Sequence, residues 1–134
     1  MEIILIHWLI KKDKREEFEA HWENNMQVGK AEGFYREILT RPISKPDPKF
    51  NTFSVTDQHY ETYINIGIWE SVEHFEEAIK KFFPKAYEEK KDGKNKQIIE
   101  LEDFEFKLRE RIVLKCIADR GGDLPAPTLI EGRV

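Results

Sequence analysis

His7 is the residue whose type and setting most invite chemistry. It sits inside Ile3-Ile4-Leu5-Ile6-His7-Trp8-Leu9-Ile10, a nearly continuous apolar run, and those neighbours imply a buried imidazole. A buried imidazole must hydrogen-bond, and loss of water favours its neutral form. Neutral imidazole is a base suited to a phenol-like substrate, or a proton shuttle for an isomerase. The plainer reading is a core histidine satisfied by Tyr63 or Asn65. Tyr63, Asn65 and Trp69 occupy alternate positions of Tyr63-Ile64-Asn65-Ile66-Gly67-Ile68-Trp69 and would share one face of a strand. They offer an aromatic wall and an orienting amide, or else a packed corner. His21, beside Trp22, could face the same cavity or only a helix boundary. His59 and His74 carry no assigned role, one in an expected loop and one on an exposed first helical turn.

Other chemistries are absent from the pattern. The 4 histidines show no His-x-x-x-His spacing and Cys116 is the single cysteine, so no metal site and no intramolecular disulfide are expected. Apolar β-rich neighbours make Cys116 an inert strand thiol. No phosphate-cradling glycine loop, nucleophile elbow or paired carboxylate is present. The reading is therefore catalytic His7, with Trp69, Asn65, Tyr63 and His21 binding a small molecule and no cofactor.

Positioning such a set requires a sheet with helices on it. Residues 3–10 read as a central strand. Asp13 three residues before Glu16 resembles a capping box, and Phe18, Trp22 and Met26 form an apolar helical stripe closed by Gly29 and Gly33. A second strand spans 34–43, and a loop spans 44–60 with a short strand at Phe53–Thr56. A third strand covers 62–70. Ser71 caps a second amphipathic helix bearing Phe75, Ala78, Ile79 and Phe82. Pro84 starts a further helical piece to about Lys91, Lys90–Lys96 is a solvated turn, and 104–118 supplies one long strand or two short ones. The order β-α-β-β-α-β is the ferredoxin-like split βαβ unit, an α+β fold with strand order 4-1-3-2. If strands one and three pair, His7 should stand beside the Tyr63, Asn65 and Trp69 face, unless a one-residue slip exchanges the faces.

Two helices cover one side of a four-stranded sheet, yet residues 3–10 are apolar on both sides. A second copy of the same face is the simplest cover, so a homodimer is expected. The 134 residues fit one domain, 1–120, followed by a tail, 121–134, poorly ordered unless a neighbour holds it. Hydrophobic residues at 40% against 36% charged argue for a globule with a solvated exterior. A net charge of −4, with both signs dispersed, excludes a phosphate-tracking face and hence nucleic acid. The apolar N-terminal run is too short to span a bilayer and lacks export features, so the expected location is cytoplasmic and no membrane partner is expected.

The stretch Tyr63-Ile64-Asn65-Ile66-Gly67-Ile68-Trp69-Glu70-Ser71-Val72-Glu73-His74-Phe75 resembles the hallmark segment of antibiotic-biosynthesis-monooxygenase-like domains. There a strand ends in Trp, a charged residue and Ser, and the following helix carries a Phe. The resemblance implies a dimeric α/β barrel and a cofactor-independent monooxygenase-like protein. Such a protein acts on or binds a small apolar, aromatic molecule, deprotonating or orienting a substrate that itself reduces dioxygen. The competing class is a non-catalytic dimeric ligand-binding or stress/assembly protein. Haem degradation fits poorly, because the resemblance would require Asn at the His7 position and His where this chain has Tyr87.

Overall fold

The computed structural model describes residues 1–25, 28–42, 58–82, 87–89, 95–97 and 107–125. Strand β1 (Glu2–Lys11) runs into a short 3-10 turn (Lys12–Lys14) and helix α1 (Arg15–Asn25). Strands β2 (Phe34–Thr40) and β3 (Tyr60–Trp69) follow, then helix α2 (Val72–Phe82), the short strands β4 (Tyr87–Glu89) and β5 (Asn95–Gln97), and strand β6 (Lys107–Lys115). The main sheet has the order β2-β3-β1-β6, and each of its pairings is antiparallel. In terms of its four long strands this is 4-1-3-2, the ferredoxin-like arrangement expected from the sequence.

Strand β1 forms because its Ile and Trp residues are β-favouring and alternate cleanly between two apolar faces. Ile4, Ile6, Trp8 and Ile10 are buried beneath the helices. Helix α1 contributes one fully buried apolar side chain, Phe18, which packs on Trp8 and Tyr63 at centroid distances of 5.9 and 4.9 Å. Polar bonds to the sheet supplement that thin apolar contact, as the next subsection describes. Helix α2 buries Phe75 and Ala78, with Ile79 packed beside them. Its first turn is capped twice. Ser71 Oγ accepts the His74 N–H at 3.3 Å, and Glu2 Oε1 accepts the Val72 N–H at 3.0 Å.

Gly33 shows why a residue without Cβ is needed before β2. Its φ is +77°, and an added Cβ would lie 2.5 Å from His74 Cγ. Backbone conformation and packing both demand glycine there.

Three expectations change. Asp13 lies inside the 3-10 turn and α1 begins at Arg15, so Asp13 does not cap α1. The helical piece expected up to Lys91 is absent at 87–89, which form strand β4, paired with β5 as Tyr87↔Gln97, Glu88↔Lys96 and Glu89↔Asn95. Asp92-Gly93, which lies between these strands in sequence, is a hairpin signal that outweighs the local helix formers. His74, expected on an exposed turn, is half-buried against Gly33. The expected short strand at 53–56 and the end of the tail, 126–134, lie outside the described residues.

Candidate functional site

The register of β1 against β3 decides which candidate residues can act together. His7 opposes Ile64, whereas Ile6 opposes Asn65, Trp8 opposes Tyr63 and Glu2 opposes Trp69. Directly opposed residues in an antiparallel pair share a face. Tyr63, Asn65 and Trp69 therefore lie under the helices with Ile6 and Trp8, and His7 points to the other side with Ile64 and Ile66. The expectation that His7 adjoins the Tyr63, Asn65 and Trp69 face is overturned. The physical reason is parity: the two strands pair one residue out of phase with that reading, and a one-residue shift exchanges faces. His7 cannot act as base toward a molecule held against Trp69.

On the helix side, Asn65 is buried and fully engaged. Its Oδ1 accepts the Trp22 indole N–H at 2.9 Å, and its Nδ2 donates to Glu37 Oε1 at 2.9 Å. Tyr63 is also buried and donates its hydroxyl to Glu19 Oε2 at 2.6 Å. Burial and the neighbouring Glu19 carboxylate both disfavour a phenolate, and they push the Tyr63 hydroxyl well above the ordinary tyrosine range. The two bonds tie α1 to β3 at Glu19 and Trp22, three residues apart and so on one side of the helix. His21 lies half-buried on α1 next to Trp22.

Glu37 was not anticipated. A β-bulge in β2 between Phe34 and Arg36 makes Phe34 oppose Trp69 while Arg36 opposes Ile68 and Glu37 opposes Gly67. The extra residue, Tyr35, moves Glu37 onto the same face as Phe34, under the helices. Simple alternation would have placed these two on opposite faces. The Glu37 carboxyl is half-buried, and burial raises its pKa above the ordinary carboxylate value, with the Asn65 hydrogen bond opposing that shift.

Trp69 is a packing anchor. Its ring is fully buried between Phe34 at 4.9 Å and Phe75 at 5.6 Å, so it joins β2, β3 and α2. Gly67 makes room for the indole, since a Cβ there would stand 3.0 Å from Trp69 Nε1.

The opposite face of the sheet carries no described helix. It presents Ile3, Leu5, His7 and Leu9 of β1, with Ile64, Ile66 and Ile68 of β3, Ile38 of β2 and Ile112 and Leu114 of β6. Ile112 and Leu114 are 43% and 42% exposed, far above what core strand residues tolerate. A separate half-open groove of about 530 Å³ runs between the 28–33 turn and α2, with Lys30, Glu32, Glu73, Glu77 and Lys81 on its walls. Among the described residues no group of three or more His, Cys, Asp or Glu could hold a metal ion, and no helix is long and apolar enough to cross a membrane.

Two helices on one face of a four-stranded antiparallel sheet in this order define the ferredoxin-like α+β class. Among solved structures the chain is similar to a point mutant of MhuD crystallised with two manganese protoporphyrin IX molecules per active site. The TM-score is 0.55 at 16% sequence identity, over 90% of this chain and 99% of the other. That likeness extends to the fold alone, a four-stranded antiparallel sheet with two helices on one face. No protein-family model matches the chain, and no curated protein matches it.

Proposed function

We propose that the protein handles a small, largely apolar aromatic molecule on the helix side of its sheet, in the manner of a cofactor-independent monooxygenase. The observation that carries this reading is the Trp22–Asn65–Glu37 chain, which sets an oriented amide and a half-buried carboxyl beside an indole. Asn65 acts on the ligand by holding the Glu37 carboxyl and the Trp22 indole in place, Trp22 offers an aromatic surface, and half-buried His21 stands next along α1. Tyr63 and Trp69 wall the layer from within. His7 leaves this site and belongs to the sheet face that a second copy would cover. The protein is read as a homodimer through that face, with 1–120 as its domain and 121–134 as a tail.

A porphyrin is the ligand in the MhuD structure, and the residues here do not fit one at Trp69. The ring is fully buried between Phe34 and Phe75 and has no open face on which a macrocycle could stack.

The second reading, a dimeric ligand-binding or assembly protein without catalysis, is favoured by the filled interior. Phe18, Tyr63 and Trp69 are fully buried, and Asn65 uses both ends of its amide within the protein. One experiment separates the readings: titration of tryptophan fluorescence with a panel of hydroxylated aromatic compounds, run alongside oxygen uptake. Saturable quenching with oxygen consumption supports the enzyme. Saturable quenching without consumption supports the binding module. No saturable binding at millimolar concentration removes both ligand readings and leaves the assembly role.

A further inference from the structure

Glu37 is a carboxyl that the fold has taken partly out of water, and none of the described cations pairs with it. Its hydrogen-bond partner among the described residues is Asn65, an uncharged donor that meets Oε1. Among the described residues no Lys, Arg or His lies within ion-pair distance of it. Carboxylates elsewhere on this surface do find cations: Glu61 faces Arg15 at 3.8 Å and Glu76 holds Arg111 at 2.8 Å. Burial disfavours its charged form, and its Oε2 is not among the buried atoms sealed without a partner, so that oxygen can meet an arriving donor. The bulge in β2 aims this group at the helix side, where Trp22 lies one hydrogen-bonded residue away. Geometry thus supplies an acceptor, an amide that fixes its orientation, and an indole at one edge of the layer.

Resting on the helix-side ligand reading, we propose that Glu37 is the acceptor and base for the hydroxyl of a phenol-like ligand. In the bound state the ligand O–H donates to Oε2 of Glu37 while Asn65 Nδ2 holds Oε1. Proton transfer breaks the ligand O–H bond and forms an O–H bond on the carboxyl. The electron pair stays on the ligand oxygen as a phenolate, and the proton returns when the ligand leaves. Nothing is oxidised or reduced in this step. Burial that lifts the carboxyl's proton affinity brings it closer to that of an acidic phenol, which makes the exchange less uphill.

The test compares 4-nitrophenol with 4-nitroanisole, its methyl ether, which cannot donate, and with benzylamine, a cation. Each is titrated against the full chain and against Glu37→Gln by tryptophan fluorescence and by the nitrophenolate absorbance band. Glutamine keeps an oxygen for Asn65, so the fold should survive, and circular dichroism checks it. The expected result is a preference of about 10-fold or more for the phenol over the ether in the natural protein, the scale of one hydrogen bond to a charged group. Glu37→Gln should reduce that preference to within about 2-fold. Equal binding of phenol and ether, an undiminished preference in Glu37→Gln, or benzylamine binding as tightly as the phenol would each overturn the assignment of Glu37 while leaving an aromatic site. Absence of any binding to the natural protein would overturn that site as well.

Discussion

Replacing Trp69 by alanine separates a packing role from a ligand role. The indole is fully buried, lies 4.9 Å from Phe34 and 5.6 Å from Phe75, and joins the ends of β2 and β3 to α2. Truncating a fully buried aromatic costs about 3–5 kcal/mol through lost transfer energy and the cavity left behind. Two aromatic pairs, each contributing about 0.5–1.5 kcal/mol, put this site in the upper half of that range. A domain of this size has about 5–15 kcal/mol in total, so the variant should fold marginally or not at all. Trp69→Phe should cost much less. It keeps a ring between Phe34 and Phe75, and it removes an Nε1–H that has no acceptor among the described residues. Urea melts followed by far-ultraviolet circular dichroism measure both variants. A loss below about 1 kcal/mol for Trp69→Ala, accompanied by abolished aromatic-ligand binding, would refute the packing argument and restore Trp69 as a ligand wall.

Gly33→Ala should destabilise by about 2–4 kcal/mol, combining a left-handed backbone with overlap on His74, and the double variant with His74→Ala should recover only the imidazole's share of the overlap in a double-mutant cycle, because the Cβ of residue 74 at 2.8 Å remains. Under the proposed homodimer, Ile66→Lys, in the Ile38–Ile66–Leu5–Ile112 row of the face opposite the helices, should weaken self-association by at least about 30-fold in sedimentation equilibrium, whereas Glu77→Lys on α2 should not change it. Glu37 gives a pH dependence of known sign. Its folded pKa is raised, so its favourable contribution is complete below the unfolded value near 4.5 and is lost as pH rises through the folded value. Denaturation midpoints from pH 4 to 8 should therefore show Glu37→Gln gaining on the natural protein with rising pH. A constant difference would contradict the burial of that carboxyl.

Much of the architecture was legible because the signals were local and strong. The Ile3–Ile10 run, Ser71 ahead of Phe75 and Ala78, and the alternation of Tyr63 to Trp69 each specify one element without help from distant residues. The short hairpin was misread because Glu88, Glu89 and Lys90 favour helix while Asp92-Gly93 favours a turn, and local propensity alone cannot rank the two. Glu37 was illegible for a different reason. Its placement depends on a bulge, and one inserted residue at Tyr35 reverses the facing of all that follows in β2. The partners of Asn65 and Tyr63 come from α1 and β2, at sequence separations of 43, 28 and 44 residues. No spacing rule within one strand reports such contacts.

The two faces of β1 show how one residue of register divides the labour of this sheet. Both faces are apolar, so hydrophobicity alone permits either alignment with β3. What selects the observed one is the polar content of β3. Asn65 and the Tyr63 hydroxyl need partners, and the only described elements with suitable groups, Glu19 and Trp22 on α1 and Glu37 on β2, stand on the helix side. Burying that amide and phenol unsatisfied would cost about 1–3 kcal/mol each. The aligned alternative would instead turn Ile64, Ile66 and Ile68 toward the helices and place Asn65, Tyr63 and Trp69 on the face opposite the helices, where Leu9 and Thr62 are buried, away from those partners. The polar members of β3 therefore fix the register. Once they do, His7 is carried to the face made of isoleucine and leucine, where its chemistry is tied to whatever covers that face.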